Sequence, residues 1–226
     1  MFKLYNNNFD FSTFNFNSFF SNVDSSLSKN QKNFLSDFFT SLISSNSVNF
    51  DKIASILSYK YNNINFDSIL KRISRFLNNK NYNFRSLFDN VIKYVISNYK
   101  VKHNDVEPNR SKRYYSYRFG SIETIFKNKK SNGFNLEKTA LKSLHAFDNL
   151  YSLVCIGVVF LTCLGIDISK NSKCHKNLGF KAVKKTKDGK FRRVLSLFQA
   201  GLRLFKLFIN SNKHYRVPFT FKLYDV

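Results

Sequence analysis

The sequence predicts a mainly α protein, and three observations predict it. Glycine and proline are scarce, 7 and 2 among 226 residues, which disfavours a turn-rich all-β fold. Apolar residues recur at helical spacing in window after window, as in Phe34, Leu35, Phe38, Phe39 and Leu42. Hydrophobic residues make up 43% of the chain, enough for such helices to bury a sizeable core.

In chain order, residues 1–26 are rich in Asn, Ser and Phe without a steady period, and read as a loose arm that docks through its phenylalanines. Ser28 can cap a helix from Lys29 to Ser44, whose aromatic stripe reads as core. A short helix follows over Asp51 to Ser58, then a polar break, then a helix from Phe66 to Leu77 carrying Lys71, Arg72 and Arg75. Two short helices with a basic second member fit helix-turn-helix DNA binding, and fit an ordinary helical bundle as well. A further helix spans Phe84 to Ser97, with Leu87, Phe88, Val91, Ile92 and Val95 inward. The polar segment Tyr99 to Arg113 reads as a boundary between a helical region at 27–106 and a C-terminal region at 107–226.

Within the C-terminal region, Asn149 to Ile166 holds no charged side chain. The run reaches the lower length limit of a membrane span. Its polar residues, and its continuity with an amphipathic helix, make a core helix the expectation, with no membrane partner. Asp188-Gly189 between basic arms predicts a small β-hairpin. Val194 to Ile209 is amphipathic, and Val217 to Tyr224 alternates like an edge strand.

The formal net charge of +23 implies affinity for polyanions. Residues 1–106 hold 13 Lys/Arg against 7 Asp/Glu, and residues 107–226 hold 24 against 7, so the basic excess sits mostly in the second half. Abundant Lys, Asn, Phe, Ile and Tyr all have A/T-rich codons, which supplies part of the lysine excess but not its asymmetry. The three cysteines include no CxxC pair, so neither a disulfide framework nor a zinc site is expected. No basic-then-apolar leader pattern opens the chain, and a reducing cytoplasm fits.

One stretch concentrates the chemistry, Tyr115 to Gly133. A helix from Ser121 would place Glu123, Lys127 and Lys130 on one face and turn Ile122, Ile125 and Phe126 inward, with Gly133 as its stop. Spacing alone leaves two readings open: an acid set among phosphate-seeking cations, or a solvated face with a Glu–Lys pair.

The run Tyr115-x-x-Arg118 … Glu123-x6-Lys130 resembles the Tyr-Arg-Glu-Lys signature of DDE transposases of bacterial insertion sequences, of the insertion-sequence-four type. Ile122-Glu123, Phe126-Lys127, Lys130-Ser131, Gly133-Phe134, Leu136-Glu137 and Thr139 extend the likeness, as does Ser196-Leu-Phe-Gln-Ala-Gly-Leu farther on. It covers roughly residues 110–226. The resemblance implies an RNase H-like fold in which Glu123 is the third acid of a triad holding two Mg²⁺ ions for in-line attack on a phosphodiester. It implies that Arg118 and Lys130 hold phosphates of the transposon end and that Tyr115 contacts its backbone or a displaced base. Lys127 matches as a basic neighbour.

The sequence departs from the pattern twice. Four residues separate Arg118 from Glu123 where the family has three. The two Asp partners of Glu123 have no counterpart: Asp105 alone follows a possible strand, eighteen positions upstream, with no room for the intervening sheet. The expectation is therefore an internally deleted transposase, joined near Val106–Arg113, that binds DNA with its metal triad incomplete. The alternative is a small DNA-binding regulator or inhibitor that pairs with intact transposase or with itself.

Overall fold

A computed structural model describes residues 8–10, 16, 20, 27–99, 134–136, 139, 141–170, 183–185, 187–189, 191–193, 195–210 and 216–218. Its elements in chain order are β1 (Asn8–Asp10), α1 (Lys29–Ser45), α2 (Phe50–Lys60), α3 (Phe66–Asn78), α4 (Phe84–Tyr99), α5 (Leu144–Lys170), β2 (Val183–Lys185), β3 (Phe191–Arg193), α6 (Leu197–Asn210) and β4 (Arg216–Pro218). The described part is mainly helical. The chain divides into two compact units, Phe19–Val158 and Met1–Ser18 with Val159–Val226.

Helix starts leave backbone N–H groups without intrahelical partners, and here neutral side chains meet them. Ser28 and Gln31 form a reciprocal capping box on α1, the Ser28 amide donating to Gln31 Oε1 at 2.7 Å. The Asn49 side chain accepts from the Asp51 amide at 2.8 Å and starts α2. Asn65 accepts from the Asp67 amide at 3.0 Å and starts α3. Asn83 accepts from Ser86 at 3.1 Å at the head of α4. Ser143 and Ser196 accept in the same way from Ala146 at 3.4 Å and Gln199 at 3.2 Å, before α5 and α6.

The unit spanning Phe19–Val158 is built on aromatic packing. Phe34, Leu35, Phe38, Phe39, Leu42 and Ile43 of α1 are all buried, as are Ile53, Ala54 and Leu57 of α2 and Ile69, Ile73, Phe76 and Leu77 of α3. The Phe76 ring centre lies 5.0 Å from Phe34, 5.7 Å from Phe38, 5.3 Å from Tyr82 and 5.2 Å from Phe84. One side chain thus joins α1, α3 and the start of α4, with edge and tilted contacts that add to simple area burial. Phe20 is fully buried edge-on to Phe39 at 5.4 Å. The first part of α5 enters the same core. Asn149, 3% exposed, donates to the Leu77 carbonyl at 2.9 Å and accepts from the Phe84 amide at 3.4 Å. A single buried amide so satisfies the end of α3 and the beginning of α4.

In the other unit, β1 pairs antiparallel with β4, Phe9 opposite Val217, and β2 pairs antiparallel with β3, Lys184 opposite Arg192. Phe16 lies edge-on to Phe160 at 5.1 Å, and Phe160 edge-on to Phe205 of α6 at 6.0 Å. There α5 and α6 approach at glycines. A Cβ on Gly165 would stand 1.9 Å from the Leu197 carbonyl oxygen, and one on Gly201 would stand 1.9 Å from the Leu161 carbonyl oxygen.

Candidate nucleic-acid interface

Tyr115, Arg118, Glu123, Lys127 and Lys130 lie outside the described residues, as does the expected join at Val106–Arg113. Phe134, which follows the central stretch directly, is fully buried. Its carbonyl accepts from the Val48 amide at 2.9 Å, and its ring tip comes within 3.0 Å of a Cβ built on Gly157.

Cation chemistry is described most fully on α3. Its apolar side, Ile69, Ile73, Phe76 and Leu77, is buried, and Asp67, Ser68, Lys71, Arg72, Ser74, Arg75 and Asn78 are exposed. On a 3.6-residue helix Lys71, Ser74, Arg75 and Asn78 form one outward stripe, with Asp67 one turn earlier. Arg72 lies to its side. The Arg72 guanidinium sits 4.4 Å from the Phe34 ring centre and 5.3 Å from that of Tyr61. It belongs to a cluster that ties three helices: Asp37 of α1 pairs with Lys60 at the end of α2 and accepts from the Tyr61 hydroxyl. Burial, then the hydrogen bond to Asp37, then the charge of Asp37 raise the Tyr61 phenol above its ordinary value, and Arg72 opposes them.

Among the described residues the ion pair is Lys60–Asp37, so Lys71 and Arg75 carry positive charge that no described carboxylate neutralises. The sequence grouped Lys71, Arg72 and Arg75 together. The structure separates them, because the ring partners of Arg72 are remote in sequence and give no local signal.

Metal chemistry finds little support in the described side chains. Among them no three His, Cys, Asp or Glu residues group where a cation could bind. Asp37 is held by Lys60 and Tyr61, and Asp51 and Asp67 lie in the first turns of α2 and α3. Glu123 lies outside the described residues, so none of these acids is placed against it.

His145 Nε2 lies 3.0 Å from the Asn79 carbonyl and 3.1 Å from Asn149 Nδ2, joining the α3 end to α5 as a packing contact. Leu144–Ile166 is long and apolar enough to cross a membrane, with a mean hydropathy of 2.1, but 78% of that window is buried within the protein. A buried window of this kind is equally that of a core helix. No family model, curated protein or solved structure matches this chain.

Proposed function

We propose that this chain is a DNA-binding protein of DDE transposase type that engages transposon-end DNA and does not cut it. The observation that carries the reading is the run Tyr115, Arg118, Glu123 and Lys130, with Glu123 lacking two Asp partners. In this reading Arg118 and Lys130 take end phosphates, Tyr115 takes the backbone or a displaced base, and Lys127 adds charge. Glu123 occupies the place of a metal-binding acid. One carboxylate cannot fix a pair of Mg²⁺ ions, so cleavage is lost while phosphate binding remains. The exposed cations of α3 favour the same ligand class.

A chain that keeps end binding without cleavage also occupies ends that an intact transposase needs. Inhibition of such an enzyme, by competition or by mixed assembly, is therefore the second role open to it.

The test uses the full chain and a duplex carrying insertion-sequence terminal inverted repeats, with Mg²⁺ or Mn²⁺ present. The expected result is a retarded complex without strand cleavage or transfer, weakened by Arg118→Glu with Lys130→Glu. Cleavage that depends on Glu123 overturns the reading.

A further inference from the structure

The outward stripe of α3 lies apart from the central stretch. It has three properties that together restrict what can bind it. The helix is held from behind by ring contacts to α1, through Phe76 against Phe34 and Phe38, so its outer surface is presented on a rigid support. Its last two turns expose Lys71, Ser74, Arg75 and Asn78, a set of hydrogen-bonding side chains with no apolar member. The two cations have no described counter-ion.

A membrane surface would select apolar side chains between the cations, and this stripe has none. An acidic duplex of B-form DNA suits it. The major groove admits one α-helix, and arginine matches the O6/N7 edge of guanine. A-form RNA has a major groove too deep and narrow to be read this way.

We infer that α3 is a DNA-reading helix, placing Arg75 at a base edge in the major groove and Lys71 on an adjoining phosphate, while the Asn78 side chain donates to the Ser74 carbonyl at 2.9 Å. Arg72 is a positioning residue. Stacked over Phe34 and Tyr61, it fixes α3 against α1 and the α2 end, and it does not reach the duplex. Asp67 repels phosphate at the first turn, so contact runs through the second half of the helix. The inference shares its ligand class with the transposon-end reading but rests on different residues.

The experiment measures binding of the full chain to a randomised 25-base-pair duplex pool across a KCl series, followed by selection of the preferred sequence. Lys71→Ala should lower the slope of log affinity against log salt by about one and leave sequence preference unchanged. Arg75→Lys keeps the charge but loses the paired contact, and should relax preference at one base pair by on the order of tenfold. Arg72→Ala should lower thermal stability and leave salt slope and preference intact. All three positions are exposed, so far-ultraviolet circular dichroism should show each variant folded.

If the Lys71→Ala/Arg75→Ala double variant binds with unchanged affinity and slope, the inference is overturned. It is overturned equally if single-stranded RNA competes better than duplex DNA, or if Arg72→Ala alters the slope as Lys71→Ala does. Loss of end binding in Arg118→Glu/Lys130→Glu with none in the α3 double variant overturns the α3 inference and leaves the transposon-end reading standing. The opposite pattern supports α3 and removes the role given to the central stretch.

Discussion

Gly201→Ala sets two effects of opposite sign against each other. Alanine is a better helix former than glycine by about 1 kcal/mol in an exposed helix interior. Propensity alone therefore predicts a stabilised α6. Packing predicts the reverse. The added Cβ would stand 1.9 Å from the Leu161 carbonyl oxygen, 2.8 Å from its carbon and 3.1 Å from the Gly165 amide nitrogen. Ordinary contact begins at 3.4 Å, so α5 and α6 must separate by about 1.5 Å, and the obstructing atoms are helix backbone that cannot rotate away. A gap of even 0.5–1 Å forfeits roughly a quarter to a half of each dispersion contact across it. The contacts at stake include those of buried Phe198, Leu202, Leu204 and Phe205.

Overpacking of this kind costs about 1–3 kcal/mol or more, and backbone contact places this site at the upper end. The expected net loss after the propensity gain is about 2 kcal/mol. Because the chain has two compact units, a single melting temperature would mix them. Amide hydrogen exchange along α6 reads the local change directly, as protection lowered by about thirtyfold. Gly189 is the control: its φ of +74° disfavours alanine, yet nothing lies within 4 Å of its Cβ position, so Gly189→Ala should leave α6 protection unchanged. Unchanged or increased protection of α6 in Gly201→Ala would refute the close-approach argument.

Other substitutions test other contacts. Asn149→Leu strands the Leu77 carbonyl and the Phe84 amide, and should cost about 1–3 kcal/mol, read as faster exchange at the α3–α4 junction. Asn65→Ala removes the cap of α3 and should cost about 1 kcal/mol in urea unfolding of the Phe19–Val158 unit. The raised Tyr61 phenol contributes stability that is complete below pH 10, the ordinary tyrosine value. That stability is lost as pH rises above it, because the unfolded chain ionises first. Tyr61→Phe should flatten the alkaline limb of a stability–pH profile, and a limb of unchanged slope would show that the hydroxyl is not coupled to folding.

How much of this was legible in the sequence depends on where each constraint acts. The helix Phe66–Asn78 was readable almost to its ends, since Ile69, Ile73, Phe76 and Leu77 keep one face. The last helix begins at Leu197, where Val194 was expected. Apolar periodicity runs past the true start, which Ser196 sets by accepting from Gln199. The charge-free run at 149–166 marked only the apolar part of a helix extending from Leu144 to Lys170. The strand Asn8–Asp10 left no local sign, because its partner, Arg216–Pro218, lies near the opposite end of the chain. The cations of α3 were visible, but the ring contacts that withdraw Arg72 from the stripe are tertiary.

The caps carry a consequence for acid. Ser28, Asn49, Asn65, Asn83, Ser143 and Ser196 hold their helix starts with hydroxyls and amides, which do not titrate. Protonating the carboxylates at low pH leaves all six contacts in place; it removes the added dipole contribution of acids such as Asp51 and Asp67 and the pairing of Asp37 with Lys60. Away from the helix starts, acid acts on this chain through the loss of the Asp37 pairing and through mutual repulsion, driving a net charge already at +23 higher still. An anion that screens that charge should preserve the helices where acid alone would expand the chain.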